Sequence, residues 1–170
     1  MVANVVEHYS APDTLDDALE TLAGGNVTIF CGGTDLSPQI EAGTRQYGAT
    51  LMNIRRINGL AGIESKKGTL RIGALTTVTE MKRAPLLNEQ ARVIVEAADQ
   101  FASDQIRNAA SLGGNLCNAS PAGDMIIPLL LLDAAVELAC WRDGTLQTRL
   151  VPLDEFFTAP GTTVKRADEL

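Results

Sequence analysis

Two short stretches of this sequence carry residue types suited to holding a small anion. One is CGGTDL, residues 31 to 36; the other is SLGGNLCNASPAGD, residues 111 to 124. In the first, a glycine pair follows the β-branched and aromatic run NVTIF and precedes a helical pattern. Gly32 and Gly33 can take backbone angles closed to other residues and turn successive amides outward. Those amides, with the positive end of the following helix, form an anion-binding concavity. Thr34 and Asp35 are candidates to cap that helix. The same logic applies to Gly113 and Gly114, where Ser111, Asn115, Asn118 and Ser120 add uncharged hydrogen-bonding groups.

Neither stretch has the Gly-x-Gly-x-x-Gly spacing or the Gly-Lys-Ser/Thr of a phosphate-binding loop, which argues against a mononucleotide triphosphate. Two uncharged nests suit a diphosphate bridge, whose charges many amide hydrogen bonds can hold in place of lysines. The physical reading is a dinucleotide with its pyrophosphate between the loops. Each stretch alone has a plainer meaning. A glycine pair after a strand is an ordinary turn, and Asp124 before MIIPLLLL is an ordinary helix cap. Only the combination points to a ligand.

The elements that must position these loops follow from periodicity. VVEHYSAP is extended and stops at Pro12. DTLDDALETLAGG then places Leu15, Ala18, Leu19 and Leu22 on one helix face, with Asp13 or Thr14 to cap it and Gly24 and Gly25 to end it. NVTIFCGG reads as a buried strand, TDLSPQIEAGTRQ as a short helix and ATLMNI as a further strand, giving a βαβαβ unit. From Gly59 the pattern changes. GLAGIESKKGTLRIGAL reads as a hairpin turning at Lys66, Lys67 and Gly68. TTVTEMKR starts a helix with Thr77 and Glu80 in capping-box positions, and NEQARVIVEAADQFA is a second helix. A helix to about Leu132, a hairpin turning at Asp143 and Gly144, and an irregular tail EFFTAPGTTVKRADEL complete the chain. The boundary falls near residues 55 to 60, between a small βαβ subdomain (1–57) and a larger α+β one (58–170), and a cleft between subdomains is a common ligand site.

Composition bounds the function. The chain has 170 residues, 45% of them hydrophobic, enough for a sizeable core. A net charge of −7 with no basic stripe argues against a nucleic-acid partner. The N-terminus has no basic segment followed by a long apolar one, and MIIPLLLLDAAVELA is interrupted by Pro128 and Asp133, so no membrane partner is expected and a soluble, cytoplasmic protein is. Cys31, Cys117 and Cys140 are odd in number and widely spaced, which favours free thiols over disulfides or a metal site.

Six ordered motifs, HYSAPDTLDDALETLA, IFCGGTDL, LMNIRRINGLAGI, LRIGALTTVTEM, QIRNAASLGGNLCNASPAGDMIIPLLLLDA and EFFTAPGTTVKRADEL, run along essentially the whole chain. Through them it resembles the FAD-binding, or medium, subunit of the molybdenum hydroxylases, the group containing xanthine dehydrogenase and carbon monoxide dehydrogenase. The resemblance implies an α+β, PCMH-type FAD-binding fold: a small parallel βαβ subdomain plus a larger mixed or antiparallel sheet subdomain with helices. It also implies a further C-terminal domain that this chain lacks, so that the chain is a fragment, a processed subunit or part of a longer one.

The resemblance carries site roles position by position. Ile29, Phe30, Cys31, Gly32, Gly33, Thr34, Asp35 and Leu36 match the first flavin-binding loop, with the amides of Gly32 to Asp35 on the pyrophosphate. Ser111, Gly113, Gly114 and Asn115 match the second, Ser111 standing where many members have threonine. Cys117, at an often aliphatic position, and Asn118 approach the flavin end. Gly123 and Asp124 match the adenosine-ribose site, and Phe101 and Ile106 match apolar positions around the cofactor, with Phe101 a candidate for the adenine face. The only histidine, His8, lies in the first strand, away from both loops, so the FAD is expected to be noncovalent.

In such complexes a molybdenum-binding large subunit hydroxylates the substrate and a small subunit with two [2Fe-2S] clusters conducts electrons to the flavin, which passes them to NAD+ or another acceptor. This chain has neither a cysteine cluster nor an evident acid–base pair, consistent with a flavin electron-transfer subunit that has binding residues and no catalytic side chain. Two alternatives stay open: a stand-alone FAD-dependent oxidoreductase of related fold, and a non-enzymatic scaffold that has lost FAD.

Overall fold

The apolar residues at 15, 18, 19 and 22 do form one helix face. The structure, a computed structural model, describes residues 5–142 and 144–170; Met1 to Asn4 and Asp143, the latter expected at a hairpin turn, lie outside the described residues. Strand β1 (His8–Ser10) leads into α1 (Leu15–Ala23). Of the two candidate caps, Thr14 is the one used: its hydroxyl accepts from the Asp17 amide at 3.2 Å. The helix ends at Gly24, followed by Gly25 at φ +74°. Ala18 and Leu19 are fully buried, and a leucine removed from water in this way contributes about 1.5–3 kcal/mol.

Strand β2 (Val27–Phe30), α2 (Leu36–Glu41) and β3 (Thr50–Asn53) complete the expected βαβαβ series. β3 is the central strand, parallel to β1 through His8↔Thr50 and to β2 through Ile29↔Met52. Met52 in its middle is fully buried. The stretch CGGTDL therefore leaves the carboxyl end of an edge strand of a parallel sheet.

By contacts the chain divides into two units. The first holds residues up to Asn58 with Glu137–Leu150 and Lys165–Leu170; the second holds Gly59–Val136 and Val151–Val164.

In the second unit, β4 (Ile63–Lys66) and β5 (Thr69–Ile72) pair antiparallel. They are joined by Lys67 at φ +52° and Gly68 at φ +80°, the two positive angles that a tight hairpin turn requires. Helix α3 (Val78–Arg83) carries the expected capping box: Thr77 Oγ1 accepts from the Glu80 amide at 3.2 Å, and Glu80 Oε2 accepts from the Thr77 amide at 2.7 Å. The single helix expected over NEQARVIVEAADQFA is divided instead. Ala91 leaves helical angles at φ −149°, ψ 51°, separating α4 (Pro85–Gln90) from α5 (Arg92–Gln100).

Helices α6 (Asp104–Ala109), α7 (Leu112–Asn118) and α8 (Ile126–Leu131) follow. A Lys82–Asp99 ion pair of 2.6 Å ties α3 to α5, and Thr79 Oγ1 donates to Asn108 Oδ1 at 2.6 Å between α3 and α6. Val78, Met81, Leu87, Ile94 and Ala98 fill the space between these helices.

The late hairpin forms as β6 (Ala135–Arg142) paired with β7 (Thr145–Pro152). The tail is not irregular. It folds into α9 (Leu153–Phe156) and an antiparallel pair of β8 (Phe157–Ala159) with β9 (Thr162–Thr163). Its last residues then pair with β6, Ala139 and Leu170 exchanging amide hydrogen bonds of 2.9 and 2.8 Å.

That return buries Glu169, which is only 1% exposed. Arg149 clasps its carboxylate with Nε at 2.7 Å and Nη2 at 2.9 Å, and the Arg166 amide adds a bond of 2.7 Å. The Arg149 hydrogen bond foremost, then the Arg166 amide and both guanidinium charges, outweigh burial and hold Glu169 at a pKa of about 2. The buried charge is thus compensated by geometry that adjacency in sequence does not reveal.

Candidate functional site

In the first stretch, Ile29 and Phe30 end β2 and the chain then passes half-buried through Cys31, Gly32, Gly33 and Thr34 to Asp35 and α2. Of the glycine pair, only Gly33 adopts the left-handed conformation, at φ +70°. A Cβ there would also stand 2.6 Å from Phe30 Cε2. The Gly33 and Asp35 carbonyls accept from the Ser37 and Gln39 amides at 3.1 and 3.0 Å, so they face into α2. Among the described residues, the amides of Gly32, Gly33, Thr34, Asp35 and Leu36 have no acceptor. A run of unsatisfied amides beside a helix start is the arrangement that attracts an anion.

The expected capping does not occur. Asp35 takes the cap position with no side-chain bond, at φ −107°, ψ −38°, away from the extended backbone that a capping carboxylate needs.

The second stretch departs further from its sequence reading. SLGGNLCN is a helix, α7, and Gly113 and Gly114 lie in its first turn with negative φ. Their amides are engaged within the protein. Leu112 donates to the Thr76 carbonyl at 3.0 Å, Gly113 to the Ala74 carbonyl at 2.8 Å, Gly114 to Ser111 Oγ at 3.2 Å and Asn115 to the Ser111 carbonyl at 3.0 Å. The expectation that Gly113 and Gly114 point free amides at a diphosphate is therefore corrected.

Glycine at 113 answers to space instead: a Cβ there would stand 2.8 Å from Ala74 Cβ and 3.0 Å from the Ala74 carbonyl. At 114 it would stand 2.9 Å from the Ser111 hydroxyl that caps the helix. The helix closes at Ala119, in the left-handed region at φ +50°.

What this region does offer is side chains. Asn115 Oδ1 is buried with no hydrogen-bond partner. Asp124 is exposed, and its carboxylate has no partner among the described residues. It does not cap α8, whose cap position is Met125 with no side-chain bond. Gly123 precedes it in a tight turn, its amide donating to the Ser120 carbonyl at 2.9 Å. Cys117 is exposed, Asn118 and Ile106 are half-buried, and Phe101 is buried at the end of α5.

None of the three cysteines forms a disulfide; Cys31 is half-buried and Cys140 buried. His8 is exposed on β1. An open cavity of about 430 Å³ in the second unit, walled by Gly62, Glu64, Arg71 and Gly73 among others, contains none of the expected residues. No group of three or more His, Cys, Asp or Glu among the described residues could hold a metal, and no helix among them is long and apolar enough to cross a membrane.

Sequence reasoning missed Arg107. Its guanidinium reaches back from α6 to the end of α5, donating from Nη1 to the carbonyls of Asp99, Phe101 and Ala102 and from Nη2 to Asp104. The local signal was a Ser-Asp cap at 103–104 with an arginine one turn on.

The first stretch thus offers open amides of the kind that attract an anion, and the second offers an exposed carboxylate without a partner among the described residues and a buried acceptor. Comparison with known proteins decides the family. Residues 4–170 match the model described as the FAD binding domain in molybdopterin dehydrogenase. The chain belongs to that family.

Among its relatives, the putative xanthine dehydrogenase FAD-binding subunit of Escherichia coli (strain K12) is 34% identical over 164 residues, covering 95% of this chain and 54% of that protein. The nicotinate dehydrogenase FAD-subunit of Eubacterium barkeri is 34% identical over 165 residues, again covering 95% and 54%. In solved structures, carbon monoxide dehydrogenase from Hydrogenophaga pseudoflava contains a chain that superposes with a TM-score of 0.88 at 27% identity, covering 96% of this chain and 56% of that one. Reconstituted CO dehydrogenase from Oligotropha carboxidovorans gives 0.90 at 26%, covering 100% and 58%.

This FAD-binding domain thus spans about half the length of the relatives it matches. Its α+β fold, a parallel three-stranded sheet together with antiparallel hairpins and helices, is the one expected, and FAD is the cofactor of its family.

Proposed function

We propose that this chain holds noncovalent FAD as the flavin part of a molybdenum-containing hydroxylase or dehydrogenase, in the cytoplasm. The observation that carries the reading is the set of open amides from Gly32 to Leu36, in a chain whose family is defined by FAD binding. Held there, FAD would supply the redox chemistry that links the [2Fe-2S] clusters of a small subunit, fed by a molybdenum-binding large subunit, to NAD+ or another acceptor.

The chain's own groups bind and orient. The amides of Gly32, Gly33 and Thr34 donate to the diphosphate. The Asp124 carboxylate accepts from the adenosine ribose hydroxyls, a charge-assisted pairing well suited to a diol. Asn115 Oδ1 accepts from a cofactor hydroxyl, which removes the cost of leaving it buried and unpaired. Ser111 acts mainly by capping α7, keeping Asn115 in place.

Replacement of Gly33 by valine tests the first loop. Left-handed backbone is closed to a β-branched residue, and the loop must rearrange. The purified variant should keep its fold by circular dichroism and lose the flavin absorption of the wild type. A fully flavin-loaded Gly33→Val protein would overturn the assignment. Purification of the native complex, with metal analysis and mass spectrometry of its chains, tests the partners. Iron and molybdenum should copurify with the flavin, and a flavoprotein isolated without either would favour a stand-alone oxidoreductase.

A further inference from the structure

We infer that Arg107 is a positioning residue that presets the adenine end of the cofactor site. The inference rests on the FAD reading above. The α5 helix stops at Phe101 with no backbone cap bond, leaving its last carbonyls to find other donors. One guanidinium supplies them. Arg107 Nη1 donates to the carbonyls of Phe101, of Ala102 at 2.9 Å and, more distantly, of Asp99 at 3.4 Å, and Nη2 donates to Asp104 Oδ1 at 2.7 Å. The side chain is only 12% exposed, although its Asp104 partner is largely in solvent.

The clasped turn is unusual. Ala102 sits at φ +35°, a conformation that a non-glycine residue holds only when its surroundings impose it. Arg107 makes contact on both sides of it. Phe101 and Ile106 therefore take their places from a short segment that a single side chain pins. A lysine keeps the charge facing Asp104 but has no planar fork with which to reach several carbonyls at once.

The test is a comparison of FAD and FMN affinities in the intact protein, purified with whatever subunits accompany it, for wild type and Arg107→Lys, with Arg107→Ala as a second variant. FMN lacks the adenosine half. A displaced adenine end should weaken FAD binding roughly tenfold or more, as for loss of charged hydrogen bonds, and leave FMN affinity within about twofold of wild type. A general loosening of the fold would weaken both flavins alike. Guanidinium ion added at low millimolar concentration should restore part of the FAD affinity of Arg107→Ala. Equal losses for the two flavins, or unchanged FAD affinity in both variants, would overturn the inference. A wild-type protein with no preference for FAD over FMN would instead overturn the FAD reading, and the inference with it.

Discussion

At the residue scale, two glycine pairs that look alike in sequence do different work. Gly33 is needed for its backbone angle, Gly113 for its lack of a side chain. Gly113→Ala should therefore destabilise by overpacking against Ala74, by about 1–3 kcal/mol, and Ala74→Gly in the same molecule should recover part of that loss. Denaturant midpoints of the two single variants and the double variant check this. A Gly113→Ala protein of wild-type stability would show the contact to be slack.

Glu169 makes a second prediction at this scale. Its pKa falls from an ordinary 4.5 to about 2 in the folded protein. A depressed carboxylate stabilises above its unfolded pKa, and that stabilisation is lost as pH falls from 4.5 towards 2. A shift of this size corresponds to about 3 kcal/mol. Glu169→Gln should be clearly less stable than wild type at neutral pH, with the gap closing as the solution is acidified through that range. A gap that stays constant to pH 2 would contradict the ion-pair account.

At the element scale, what could be read in advance was what local chemistry decides. The Thr14 cap, the Thr77–Glu80 box, the Lys67–Gly68 turn and the apolar face of α1 all rest on residues within two helical turns of one another. The features that escaped rest on distant partners. Gly113 and Gly114 read as a turn because nothing nearby shows that the Ala74 and Thr76 carbonyls take up the amides at the start of α7. The tail read as irregular because its pairing with β6 joins Leu170 to Ala139. Of the two glycine stretches, the first has the open amides expected of it and not the side-chain cap, and the second is the start of a helix and not the open turn that its glycine pair suggested. Exchanging Thr77 for alanine removes one reciprocal cap and should lower stability by about 1 kcal/mol, read as a shift in melting temperature with flavin content unchanged. Loss of flavin in that variant would mean that the start of α3 takes part in the site.

At the scale of the whole molecule, residues 4–170 match a family defined by binding FAD. The central claim is that FAD lies with its diphosphate on the amides after β2. The most direct test is a crystal structure of the intact protein with FAD bound. The account predicts phosphate oxygens within hydrogen-bonding distance, about 3 Å, of the Gly32, Gly33 and Thr34 amides, and a ribose hydroxyl on Asp124. Diphosphate density elsewhere, with those amides facing only water, would contradict it.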